Sequence, residues 1–413
     1  MNRRRYGAPA AAPEPAYHRD TATWAAFAAL FAFGILNAAL GPVLPYLRQA
    51  EHTSYLAGAL HQVAFAIGGM MAGIQASRSS APRRRMIVAG LSAAAASGLL
   101  LGYGRVLPLT LAAALAISAF ATAALIRVWA VLADLHHRHR AVAMTEGEVA
   151  VSFAGIVTPA VIGACAATVL GWRFSFVIVF VLVIAATAAM AATRVPGPAR
   201  QQGAGMTRNA GTTTHPHRRT LATIFAVVGL EFTLSFWAAS YLHDDLGITQ
   251  GTAAGLVSAI YAANLTGRVL VSRLARKLSA TTVLRLSLAT ALAGCPVLLA
   301  ADNLGLATAG LAVTGIGIGG AFPLASSLHV AASGRTADQA LGQILTIAGT
   351  GQITGPLIAG ALAQAAGLRI GLLIMPALIL MAIATTLPAG TWSPRGWWRR
   401  PSFKIDKKVS YKS

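Results

Sequence analysis

The chain has 413 residues, of which 56% are hydrophobic and only 11% charged, with a formal net charge of +21. An ordinary soluble domain carries about 25% charged residues, so this composition cannot clothe a water-facing surface over its whole length. In a soluble chain so basic a balance would suggest nucleic acid. Here the cations sit in short clusters between long apolar runs, and no nucleic-acid partner is expected. The two cysteines, Cys165 and Cys295, both fall inside apolar runs, which excludes a disulfide framework. Few aromatics and weak two-residue alternation argue against a membrane barrel.

In chain order, residues 1–22 form a polar tail bearing Arg3, Arg4, Arg5 and Arg19. It does not read as a cleavable signal, because the apolar run that follows is too long. That first run, 23–47, closes on Gly41-Pro-Val-Leu-Pro45. Runs at 55–77, 86–103, 107–134, 141–169 and 174–193 follow. Residues 194–220 break the rhythm with Pro, Gly, Gln, Thr, His and Arg, as a flexible linker does. Six more runs occupy 221–242, 251–271, 281–301, 304–332, 339–365 and 370–387, before a basic tail at 390–413. Each run is long enough to cross a hydrocarbon core of about 30 Å as a helix. Helices satisfy their own backbone groups in lipid. The expectation is an all-α membrane protein of about twelve spans, in two six-helix bundles at 23–193 and 221–389.

The connections alternate in charge. One side collects the tail arginines, then Arg78 and Arg83 to Arg85, Arg138 and Arg140, the linker arginines, Arg273, Arg276 and Lys277, and the basic C-terminal tail. The other side has isolated Arg48, Arg105, Arg173 and Arg369 beside Asp244 and Asp245. The positive-inside rule then predicts a multi-pass protein of the cell inner membrane with both termini and the linker cytoplasmic.

Equivalent features recur at a separation near half the chain. Gly171-Trp-Arg173 matches Gly367-Leu-Arg369, and Pro159 with Gly163 matches Pro356 with Gly360. The basic turn at Ala76-Ser-Arg78 matches Ala275-Arg-Lys277. Such recurrence marks a duplicated six-span unit. These residues, with Gly41 to Pro45 and Gly315-Ile-Gly-Ile-Gly319 followed by Phe322-Pro323, resemble the major facilitator superfamily. Gly73 and Arg78, and again Gly267, Arg268, Arg273 and Lys277, resemble its cytoplasmic loop signature. The signature aspartate is replaced by Ser77 in one copy and Arg276 in the other. In the family that acid helps latch the two halves outward-facing. Ala154-x-x-x-Thr158-Pro159 with Gly163 is a partial match to the family's antiporter motif, and Gly351-x-x-x-Gly355-Pro356 a closer one. Gly41, Pro45, Pro159, Gly163, Gly355 and Pro356 are therefore candidates for bending or rocking helices.

Ionisable residues far from any loop are costly in lipid and mark function. Glu231 lies midway along the seventh span, roughly 15 Å from either end. Its stripe at four-residue spacing, Thr223, Val227, Glu231, Ser235 and Ala239, is small or polar and suits a cavity wall. Burial there penalises the charged carboxylate, which makes Glu231 the candidate proton-coupling residue. The bland alternative is a permanently protonated structural acid. Asn37 shares a face of the first span with Gly34 and Gly41, and Phe33, Ser235 and Phe322 complete the substrate-cavity candidates. Arg127, in the fourth span, is either an ion-pair partner of Glu146 or Glu148 or a docking point for an anionic solute. His61 and Gln62 lie towards the non-basic end of the second span, where an interfacial histidine is the ordinary reading and a proton relay the sharper one. Trp237 and Tyr241 read as aromatic-belt anchors.

No nucleophile with a base, phosphate loop or metal cluster is recognisable. Neither enzyme activity nor a cofactor is expected; the energy source implied is the proton gradient. The resemblance implies a monomeric, proton-coupled secondary transporter moving a small organic solute by alternating access, with efflux of amphipathic or drug-like compounds first. Uptake or exchange of a small organic anion is the alternative, and a non-transporting receptor or scaffold on the same fold is a third reading.

Overall fold

The computed structural model describes residues 18–78, 82–136, 140–194, 216–333 and 337–387. Among them every regular element is a helix. The first span is split into α1 (Thr21–Ala38) and α2 (Leu40–Glu51). Next come α3 (Tyr55–Arg78), α4 (Arg83–Tyr103), α5 (Leu107–Leu135), α6 (Arg140–Ala166) and α7 (Phe174–Ala192). The second bundle contains α8 (Pro216–Asp244), α9 (Gln250–Leu274), α10 (Ala280–Leu299), α11 (Leu304–Gly319), α12 (Ala321–Ala332), α13 (Ala337–Ala366), α14 (Leu368–Gly371) and α15 (Ile374–Thr386). Together they make 12 stretches long and apolar enough to span a membrane.

Local chemistry sets the boundaries. Asp20, Thr249, Ser279 and Asn303 each cap a helix by accepting a backbone N–H from three residues on. The three interrupted spans break beside Ala38, Gly319 and Leu372, each four residues before a proline: Pro42, Pro323 and Pro376. Proline has no N–H to give that carbonyl and its ring collides with it. Pro45, Pro159 and Pro356, singled out in the sequence, lie inside uninterrupted helices instead. Some ends also differ from expectation. The first span runs on to Glu51, and α8 begins at Pro216, inside the expected linker. The rest of that linker, 195–215, and the tail from 388 lie outside the described residues.

Within the first bundle α5 packs on α3 and α4, and α1 on α6; within the second, α11 packs on α9 and α10, and α8 on α13 and α15. The bundles meet through α6 with α9, α3 with α13, and α2 with α8. The duplication is visible in detail. Gly171 and Gly367 both adopt positive φ, +71° and +88°, the left-handed region glycine tolerates best. Arg84 donates to the Ala191 carbonyl at the end of α7, and Arg285 to the Thr386 carbonyl at the end of α15. Each arginine thus covers a helix C-terminus, where cations are favoured. His136 bonds Thr23 at 2.7 Å and His329 bonds Thr220 at 2.8 Å, tying the first span to the fourth and the seventh to the tenth.

With an even number of spans, both described ends lie on one side, hereafter the termini side. On the far side the bundles are joined by polar contacts. Arg48 donates to Asp244 at 2.8 Å and stacks over Tyr55, whose hydroxyl donates to Asp244 at 2.9 Å. Gln250 donates to Gln49, and the Tyr55 amide to Gln364. Gly41 permits the crossing beneath them: a Cβ there would stand 2.2 Å from the Ser235 carbonyl oxygen.

Candidate functional site

Glu231 sits in the middle of α8 and keeps some exposed surface, although Val227 and Ala239 on the same stripe are wholly buried. Thr223 bonds Thr385 of α15. The expected five-residue cavity wall therefore shrinks to Glu231 and Ser235, because helix packing inside the second bundle consumes the rest. Trp237 and Tyr241 are also not interfacial anchors. Both are fully buried; Trp237 donates to the Pro356 carbonyl at 2.9 Å and Tyr241 to the Leu298 carbonyl at 2.8 Å. Inside a bundle their polar tips need partners, and backbone carbonyls supply them.

The neighbours of Glu231 come from α9. Tyr261, Asn264 and Arg268 are spaced i, i+3, i+7 and so share one helical face. The Asn264 amide lies 3.5 Å from the Glu231 carboxylate, and its own carbonyl oxygen is buried with no partner among the described residues. Tyr261 interacts with Ser235, and its ring covers the bare backbone of α6 at Gly155. Ser235 itself donates to the Glu231 backbone carbonyl.

Arg268 is the hinge of this arrangement. Its Nε donates at 3.1 Å to the Gly319 carbonyl, at the break before Pro323. Its Nη1 crosses to the other bundle, 2.9 Å from Ser152 and 3.4 Å from Glu148 on α6. Electrostatically it also feels Glu231. Arg268 thus hydrogen-bonds Glu148 on the other bundle and lies within electrostatic reach of Glu231 on its own. Arg268, which the resemblance assigns to the loop signature, lies within α9, more than a turn before the helix ends. Its neighbours Gly267 and Gly319 let α9 and the tenth span approach closely; a Cβ at Gly267 would be 2.1 Å from the Ile316 carbonyl. Arg273 and Lys277 are exposed at the end of that helix, Gly73 has open space around it, and the Arg78 side chain lies outside the description.

Of the other candidates, Glu146 pairs with Arg19 at 2.5 Å, a partner on the first span's N-terminal side. Arg127 is partly exposed on α5, which packs against α6. Phe33, Asn37 and Phe322 are half-buried on the first and tenth spans. Among the described residues no hydrogen bond joins them to Glu231. Gly163 and Gly355 serve close approach: a Cβ would stand 2.6 Å from the Gly251 carbonyl across the bundles, and 2.5 Å from that of Gly229 within one. No group of three or more potential metal ligands occurs among the described residues.

Sequence reading missed Tyr261 and Asn264, whose spacing with Arg268 was the available signal. It also placed Glu51 in a loop. In the structure Glu51 closes α2 with a side chain only 1% exposed, beside a fully buried His61. The stretch around it looked like a polar turn, and nothing local distinguishes a buried helix end from an exposed one.

Comparison with known proteins completes the picture. An uncharacterised transporter, y4wD, of Sinorhizobium fredii (strain NBRC 101917 / NGR234) is 31% identical over 140 residues, 34% of this chain and 37% of that protein. The match thus spans little more than a third of the relative. A bacterial homolog to the human lysosomal transporter Spinster, in an inward-facing and unoccupied conformation, superposes with TM-score 0.74 at 15% identity. That match covers 89% of this chain and 96% of the other. The nucleoside transporter NupG superposes with TM-score 0.70 at 13% identity, covering 89% and 99%. The family model of the Major Facilitator Superfamily matches residues 23–345 and 220–402, so the chain belongs to that superfamily of membrane transporters.

Proposed function

We propose that the protein is a proton-coupled secondary transporter that exports a small amphipathic organic solute by alternating access, with both termini cytoplasmic and the far side facing outward across the inner membrane. The observation that carries this reading is the Glu231–Arg268–Glu148 arrangement at the junction of the bundles. When Glu231 is charged, it draws Arg268 towards its own bundle. When it is protonated, Arg268 is released to Glu148 and Ser152 on the other bundle. A proton on Glu231 thereby changes the relative stability of two bundle arrangements, and only such unequal binding can drive a cycle. The unpartnered Asn264 carbonyl offers an acceptor to a solute, and Tyr261 with Phe33 and Phe322 offers apolar contact. The half-buried Arg268 and the exposed Glu148 suit the task, since a weak ion pair exchanges readily.

The test is transport in proteoliposomes by the parent and by Glu231→Gln, which keeps size and mimics the protonated acid. The variant should lose transport driven by a pH gradient while retaining solute exchange at equal pH. Gradient-driven transport at the parent's rate would overturn the assignment.

A further inference from the structure

We propose that Glu51, Thr110 and His61 form a second proton-binding site, inside the first bundle and away from Glu231, whose occupancy fastens the far-side contact between the bundles. The site joins the last residue of α2, the first turn of α5 and the second turn of α3. Thr110 Oγ1 lies 2.5 Å from Glu51 Oε1 and 3.0 Å from His61 Nε2, while His61 Nδ1 lies 3.1 Å from the Gly58 carbonyl oxygen. The His61 and Glu51 side chains are 0% and 1% exposed, and Glu51 Oε2, 3.9 Å from His61 Nε2, is buried without a hydrogen-bond partner among the described residues.

Counting hydrogens shows why a proton belongs there. The Gly58 carbonyl can only accept, so Nδ1 must carry a hydrogen. Thr110 has one hydroxyl hydrogen, for which the Leu107 carbonyl at 3.1 Å and the Val106 carbonyl at 3.4 Å also compete. If it goes to a charged Glu51, then Nε2 must donate to Thr110, and the ring is an imidazolium. If instead Glu51 is protonated and donates to Thr110, the hydroxyl is free to donate to Nε2 of a neutral ring. Both arrangements hold one proton more than a carboxylate beside a neutral imidazole, and both are neutral as a whole. Without that proton, one contact of the three is lone pair to lone pair: Nδ1 with the Gly58 oxygen, Nε2 with the Thr110 oxygen, or Glu51 with the Thr110 oxygen. The cluster would also keep an uncompensated buried charge, a costly state. Loss of the proton thus loosens the end of α2 from α3 and α5.

The end of α2 is also where the bundles are fastened, since Arg48 and Gln49 reach Asp244 and Gln250. The charged and titratable groups on the surrounding elements are Tyr46 on α2, which stacks on Trp172, Arg48 and His52 on or just after α2, Tyr55 on α3, and Tyr103 and Arg105 before α5. The end of α8 adds His243, Asp244 and Asp245. Arg48 and Tyr55 are committed to Asp244, which leaves His61 as the nearest cationic partner for Glu51. A proton arriving from the far side would therefore close that side behind it.

The inference rests on alternating access, and its test separates the two. Asn37→Cys, in a chain whose buried Cys165 and Cys295 are changed to Ala, is labelled from the far side in vesicles with an impermeant maleimide. Rates are normalised to the unfolded chain at each pH. Labelling of the parent should fall about tenfold as pH drops and the cluster takes up its proton. Glu51→Gln, whose amide replaces the acid proton in the second arrangement, should label slowly at every pH. Glu51→Ala should label fast at every pH, and the Gln variant alone decides if the Ala variant is unstable. Glu231→Gln should change the labelling rate but keep a fall in labelling as pH drops, because the Glu51 cluster is intact. A parent without pH dependence, or a Glu51→Gln profile like the parent's, overturns the site. No far-side labelling at any pH in any variant would refute alternating access itself.

Discussion

Gly41→Ala tests the crossing of the first and seventh spans most directly. A Cβ at this position would lie 2.2 Å from the Ser235 carbonyl oxygen and 3.1 Å from the Phe236 Cα, both backbone atoms that cannot rotate away. Restoring ordinary contact requires the two spans to separate by about 1 Å. Overpacking of this kind costs about 1–3 kcal/mol. Because Gly41 and Ser235 belong to different bundles, the cost falls on the far-side-closed arrangement alone. The equilibrium should shift towards far-side opening by about 5- to 150-fold. Spin labels at Tyr103 and Leu304, exposed at the far ends of α4 and α11, report the separation by pulsed electron–electron resonance. Gly355→Ala is the control: its Cβ would meet Gly229 and Thr233 of its own bundle at 2.5 Å, a penalty in every state. Gly41→Ala should add a longer distance population, and Gly355→Ala should lower stability without one. An unchanged distribution in Gly41→Ala, or the same shift in both variants, would refute the reasoning.

Two further outcomes concern stability. Trp237→Phe removes the indole N–H donated to the buried Pro356 carbonyl and should cost about 1–3 kcal/mol, read by denaturant unfolding of the solubilised protein. Asp245, just beyond α8, keeps exposed surface, yet partial desolvation pushes its carboxyl up, with Arg369 opposing. A raised carboxyl contributes stability only while protonated, and that contribution is lost as pH rises through the folded-state value. Asp245→Asn should therefore melt higher than the parent at pH 7, with the gain shrinking as pH falls towards 3.8, the ordinary value. A gain that grows on acidification would reverse the sign and dismiss the account.

The spans were legible because hydrophobic length is a property of consecutive residues, as was the duplication carried by Gly171 and Gly367. Glu231 also stood out, since a lone acid mid-span is visible in one dimension. Its partners were not. Asn264 and Arg268 follow it by more than thirty residues, and only helix packing decides which face of α9 turns towards α8. The same holds for Trp237 and Tyr241, whose position near a span end suggested the interface until the packing of α8 against α13 buried them.

The sequence by itself determined that this is a twelve-span helical membrane protein with a duplicated plan, because lipid admits few ways to satisfy a backbone and the apolar runs are long enough to take one. Tertiary structure alone decided that Glu51 meets His61 through Thr110, and that Arg268 stands between acids on opposite bundles. Those meetings depend on the crossing and rotation of helices far apart in the chain. Glycines and proline breaks set that geometry through contacts with distant neighbours, which no window of local sequence contains.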